Sequence, residues 1–221
     1  MLFVQLASGK QNTPISGKKI LYDTLLYKDL PLIQKLMCCI AALGDLCDQT
    51  REGREHSLDA TEALRLRVDQ LWDEYSKKTN TSSKPYPCHD RATKSMWFND
   101  DHTTLTFVYF SSAYLLLSVI APLAPPLISG KTDFCQTILD AATFLDVRRN
   151  AFAYMRMATP LLLIAIHSRN EEHRKGSTDI FGFWSRGSMR GVSALALDAV
   201  RRIKERRSSE TYATHPKAVN V

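Results

Sequence analysis

The sequence predicts an all-α protein, an irregular array of about six to seven helices around a central apolar helix. Three observations predict it. The stretch Leu105 to Ile128, LTFVYFSSAYLLLSVIAPLAPPLI, carries no charged residue. The segments on both sides of it place apolar residues three and four apart, the spacing of an amphipathic helix. No segment shows the sustained alternation of a strand, and no internal repeat is visible.

The central stretch is long enough to cross a bilayer, so its environment is the first question. Pro122, Pro125 and Pro126 end the helix early, leaving a regular part from about Thr104 to Ala121. Ser111, Ser112 and Ser118 interrupt its apolar surface. Asp100 and Asp101 suit the N-cap and first turn, where the helix dipole favours negative charge. These features favour a buried helix wrapped by its neighbours. A membrane-associated protein with a span at 105–128 is the alternative.

The other elements follow in order. Residues 1–17 read as an irregular N-terminal segment, broken by Gly9, Pro14 and Gly17. Ser16 is placed to cap a short helix from about Lys18 to Tyr27. Asp29 is placed to cap the next, with Pro31 tolerated in the first turn. That helix carries Ile33, Leu36, Met37, Ile40, Leu43 and Cys47 on one face and ends near Arg51 to Gly53. A third starts after Ser57, with Leu64, Val68, Leu71, Trp72 and Tyr75 as its stripe. Arg65, Arg67, Asp69 and Glu74 are expected in water on its other face. Residues 77–99 read as a polar linker, with Trp97 and Phe98 docking onto the core. After the central helix, Thr132 or Asp133 caps a helix lined by Phe134, Ile138, Leu139, Ala142 and Leu145. Another runs from about Arg149 to Ser168 and is kinked at Pro160. Residues 169–180 read as polar and solvated. The last helix runs from about Ser188 to Arg206, with Val192, Leu195, Ala196, Ala199, Val200 and Ile203 inward. The helical domain is thus 18–206, followed by a tail at 207–221 too polar and irregular to fold alone.

The 221 residues suffice for one sizeable core. A net charge of +6 is mildly basic, short of the dense charge of a dedicated nucleic-acid binder. Cys38, Cys39, Cys47, Cys88 and Cys135 are odd in number and show no C-x-x-C spacing, which fits free thiols in a reducing compartment with no secretory signal at the N-terminus. Asn80-Thr81-Ser82 matches a glycosylation sequon that has no meaning in such a context.

Residue patterns that carry chemistry are sparse. Cys39 and Cys47 lie more than two helical turns apart, so buried thiols acting as small hydrophobes are expected and metal binding is not. His167 and His173 flank Glu171 and Glu172 but miss the i, i+4 spacing that aims two imidazoles together, so a solvated loop is expected. Cys88, His89 and Asp90 sit in the linker, without the rigid scaffold nucleophilic catalysis needs. Gly182, Gly187 and Gly191 form no phosphate-cradling fingerprint, and no nucleophile elbow occurs. Arg156 lies in the apolar run AFAYMRMATPLLLIAI and, if buried, needs a partner such as Asp140 or Asp146. Arg201, Arg202, Lys204, Arg206 and Arg207 form a basic cluster: a nuclear-localisation signal, a phosphate-contacting face, or a solvated helix end favoured by the dipole. No catalytic, cofactor-binding or metal-ligating set is assigned.

Four stretches carry a family likeness: ILYDTLLYKDLPLIQKL, FVYFSSAYLLLSVIAPLAP, ILDAATFLD and AFAYMRMATPLLLIAI with its Pro160-Leu161 pair. In this order they resemble the C-terminal part of the fungal-specific regulatory region found behind Zn2Cys6 DNA-binding domains, over about residues 18 to 205. The resemblance implies a helical array serving regulation and dimerisation in the nucleus. The six-cysteine module that reads DNA in that family has no counterpart in this sequence, so neither zinc, nor DNA binding, nor any functional residue carries over. The expected function is therefore that of a transcription-regulator-like helical domain, without chemistry or cofactor of its own. It would act through a protein partner, a homodimer or a small-molecule effector, in the nucleus or alternatively the cytoplasm. A complete regulatory region is longer, so the Leu64, Val68, Leu71, Trp72 and Tyr75 stripe is expected to stay partly exposed and recruit a partner. A helical enzyme with no recognisable site is the remaining alternative.

Overall fold

In a computed structural model of the chain, the structure describes residues 30–51, 58–80, 88–89, 96–98, 100–121, 133–148 and 150–214. The expected segment at 1–17, the helix at 18–27, the caps at Asp29 and Thr132 and the proline corner at 122–126 lie outside the described residues. The described elements are, in order, α1 (Leu32–Arg51), α2 (Leu58–Asn80), β1 (Cys88–His89), β2 (Met96–Trp97), α3 (Asp101–Ile120), α4 (Phe134–Val147), α5 (Ala151–Met155), α6 (Ala158–His167), α7 (Glu171–Trp184) and α8 (Arg190–Thr214). The fold is all-α, with α3 at its centre.

α3 begins where the sequence predicts. Asp100 is its N-cap: Oδ1 accepts from Thr103 N at 2.8 Å and Oδ2 from Thr103 Oγ1 at 2.7 Å. Partial burial pushes the Asp100 carboxyl up, but these hydrogen bonds outweigh it and hold the pKa below the usual range. Every residue from Thr104 to Leu117 is buried, because α1, α2, α4, α5 and α6 all pack on this helix. The helix is long and apolar enough to cross a membrane, yet most of it lies inside the array. Two of its buried hydroxyls are satisfied within the helix: Thr106 donates to His102 O at 3.0 Å and Ser112 to Val108 O at 2.8 Å.

α1 and α2 cover one side of α3. Pro31 costs α1 nothing, because its carbonyl accepts from Lys35 N while its missing donor would have been unsatisfied there anyway. Leu36, Ile40, Leu43 and Cys47 are buried on one face. On α2, Leu64, Val68 and Leu71 are buried, and Trp72 and Tyr75 pack edge-on or tilted against Phe110. The expected exposed stripe on α2 is therefore largely covered by α3. Asp69, expected in water, is also buried: it accepts from the Tyr114 hydroxyl at 2.9 Å and pairs with Arg65 at 3.1 Å. Burial, with Asp69 beside it, pushes the Tyr114 phenol well above its ordinary pKa. α2 runs on to Asn80, so the linker starts later than expected, with Lys77 and Lys78 favouring the last turn. β1 and β2 pair antiparallel, Cys88 opposite Trp97. Two-residue strands are too short to leave an alternating pattern in a sequence. Phe98 docks onto Phe144 of α4, as expected.

The second half differs from the sequence reading in three places. The single helix expected from Arg149 to Ser168 is two, α5 and α6, and the break lies at Arg156 and Met157. Pro160 causes it: the ring crowds the carbonyl four residues earlier, that of Arg156, so the chain restarts with proline in the first turn of α6. The segment 169–180, expected as a solvated loop, is most of α7, which starts from an Asn170 cap that accepts from Glu172 N at 2.9 Å. Its buried face is His173, Ser177, Phe181 and Trp184, so half the stripe is polar and gives no apolar period. Ser177 is satisfied by donating to Leu161 O at 2.5 Å. α8 runs to Thr214 instead of ending near Arg206, with Ser193, Ala196, Ala199 and Val200 inward and Leu195 41% exposed.

Candidate functional site

The candidate sites lie at the two ends of one helix pair. α4 and α7 run side by side in the same direction. At their start His173 approaches Asp133. Midway Gly176 faces Leu139, whose Cδ1 would stand 3.4 Å from an added Cβ. At their finish Leu145 and Trp184 line one cavity.

The starting end collects groups that bind protons and metals. Asp133 caps α4 through Oδ1, which accepts from Gln136 N at 3.0 Å. Its other oxygen, Oδ2, faces His173 Nε2 at 3.6 Å. Cys135 stands in the first turn of α4. One ligand atom from each of Asp133, Cys135 and His173 lies within 4.8 Å of the other two. Cys135 and His173 are buried and Asp133 is open to solvent. The trio has the residue types of a nucleophile, a base and an orienting acid. Its thiol is a poor nucleophile, because burial pushes Cys135 up to about 11, against a partial offset from the Ser168 hydroxyl. A reactive thiol needs a depressed value instead.

The finishing end is an aromatic cleft of about 370 Å³. Leu145 and Asp146 of α4, Tyr154 and Met155 of α5, Phe183 and Trp184 of α7, and the turn from Arg186 to Met189 line it. The proline-induced break after α5 makes that short helix a separate wall. Tyr154 meets Trp184 edge-on at 5.1 Å between ring centres. Burial pushes the Tyr154 phenol up, and the neighbouring indole partly offsets it. The Trp184 indole N–H is itself buried and, among the described residues, has the Tyr154 phenol as its polar neighbour, without full hydrogen-bonding geometry. Val147, Phe152, Met155 and Phe183 stand 50% or more exposed around or near this end. A group of exposed apolar residues therefore lies here, while the expected α2 stripe is largely covered and the exposed apolar residues of α2 are Leu58 and Leu66.

The structure distributes the sequence-predicted positions as follows. In the basic cluster, Asp198 holds Arg201 at 2.5 Å and Arg202 at 3.2 Å, which cancels part of its charge. Arg201, Lys204 and Arg206 are exposed, and the Arg207 side chain lies outside the described residues. Cys39 and Cys47 are buried thiols, and burial pushes Cys39 up to about 12. The side chains of Cys88 and His89, and all of Asp90, lie outside the described residues. Arg156, weighed as a buried cation, is exposed and lies over the Phe152 ring at 4.4 Å. His173 joins Asp133 and Cys135, a grouping that sequence reasoning missed. Its only trace in the sequence is a cysteine two residues after a capping aspartate. Comparisons with protein-family models, with curated proteins and with solved structures give no match.

Proposed function

We propose that this chain is a helical regulatory domain that binds a small, largely apolar effector in the cleft at the finishing ends of α4 and α7. It would serve transcription in the nucleus through a protein partner, without reading DNA itself. The cleft carries the ligand half of this reading. Its volume of about 370 Å³ falls in the range of small-molecule sites, and aromatic walls with few polar groups are typical of them. Arg186 and Asp146, both on its lining, supply the polar contacts that would orient a ligand. The likeness to fungal regulatory regions in the four quoted stretches supports the regulatory half.

Filling the cleft tests the ligand half. Ala151 is exposed and lines it, so Ala151→Phe should occupy the space without disturbing the core. An environment-sensitive apolar dye is expected to bind the wild type and quench Trp184 fluorescence, and to lose at least about tenfold in affinity in the variant, about 1.4 kcal/mol. Equal dye affinity in both proteins would overturn the cleft as the site. Fusing the chain to an unrelated DNA-binding module upstream of a reporter tests the regulatory half. Unchanged reporter output would count against it.

A further inference from the structure

We propose that Asp133, Cys135 and His173 bind one zinc-type divalent metal ion at the starting ends of α4 and α7. The donor set is one carboxylate oxygen, one thiolate sulfur and one imidazole nitrogen. That combination suits zinc, whereas calcium and magnesium take oxygen ligands. Tetrahedral coordination at bond lengths of about 2.0–2.3 Å puts ligand atoms about 3.3–3.6 Å apart. The His173–Asp133 pair is already at 3.6 Å, and every pair lies within 4.8 Å, so side-chain rotations of about an ångström close the site.

Two further observations point to a ligand. The His173 side chain is 11% exposed, and its Nε2 faces Asp133 Oδ2 at 3.6 Å, beyond hydrogen-bonding range but at the spacing of two ligands on one metal. A metal between the two would bond both atoms. Asp133 also divides its work between two oxygens. Oδ1 caps α4 and so holds the carboxylate in place, while Oδ2 is turned to the cluster. The exposed side at Asp133 leaves room for water in the fourth position. On binding, the metal displaces the thiol proton to solvent, with no change of oxidation state.

Cobalt(II) titration of the whole, reduced, chelator-treated chain tests the site. One equivalent is expected to bring a thiolate-to-cobalt charge-transfer band and tetrahedral visible bands, both removed by one equivalent of zinc. Cys135→Ser should abolish the charge-transfer band. Asp133→Asn keeps a capping oxygen and therefore the helix, so its circular dichroism should match the wild type. It and His173→Gln should each weaken cobalt binding by more than about tenfold, since even neighbours of metal ligands commonly cost about 10–100-fold. A missing band at one equivalent, a band that survives Cys135→Ser, or wild-type affinity in a folded Asp133→Asn would each overturn the proposal.

Discussion

The same two helices, α4 and α7, end in opposite chemistry. Their starting ends bring together a carboxylate, a thiol and an imidazole; their finishing ends open an aromatic cleft. Parallel packing explains why the ends can differ so much. Two helix N-termini lie together and both draw polar caps, Asp133 on α4 and Asn170 on α7. At the other end both helices give way to turns, where the bulky Tyr154, Phe183 and Trp184 crowd without closing the gap. Between them Gly176 stands against Leu139. The contrast suggests that either end can be altered while the other survives.

The apolar end should respond most strongly. Phe181 is fully buried and meets Trp184 edge-on at 5.4 Å. Phe181→Ala should cost about 3–5 kcal/mol, read from chemical unfolding. A loss below about 1 kcal/mol would mean that this end is not packed as described. The polar end should respond less, and in a residue-specific way. In metal-free buffer Asp133→Ala should cost about 1 kcal/mol through loss of the cap, while Asp133→Asn should be nearly neutral. Equal destabilisation by both would show that the negative charge, and not the cap, matters there. The smallest effect is expected on the open side of the last turn of α7. Gly182 sits on α7, and nothing stands within 4 Å of a Cβ added to it. Gly182→Ala should therefore stabilise by about 0.5–1 kcal/mol by reducing unfolded-state freedom. A fall in melting temperature would show that α7 needs flexibility at this point.

Particular residues show how much was legible. Leu36, Ile40 and Leu43 announce α1, because apolar side chains recur at helical spacing and are buried by it. Asp100 announces the start of α3, and the pair Thr132 and Asp133 the start of α4, where Asp133 is the cap. α7 escaped because His173 and Ser177 occupy its buried positions, and a polar residue counts as exposed in any pattern-based reading. Asp69 escaped for the same reason: its burial depends on Tyr114, far along the chain. The role of Pro160 was legible in kind and misplaced by a turn, since the clash acts on Arg156 and not on the proline itself. The candidate metal ligands were invisible as a set, because Asp133 and Cys135 meet His173 only after two intervening helices fold back.

By itself the sequence determined the all-α class, the apolar centre, the Asp100 cap of α3 and the start of α4 to within one residue, at Thr132 or Asp133. These depend on local spacing and local hydrogen bonding, which a chain carries with it before it folds. Tertiary structure alone decided that α4 and α7 run parallel, that a polar stripe is buried, and that the Leu64, Val68 and Leu71 stripe is covered while Met155 and Phe183 stay exposed. Those outcomes depend on which faces of distant helices meet, and α3 arbitrates that choice by packing against five of them at once.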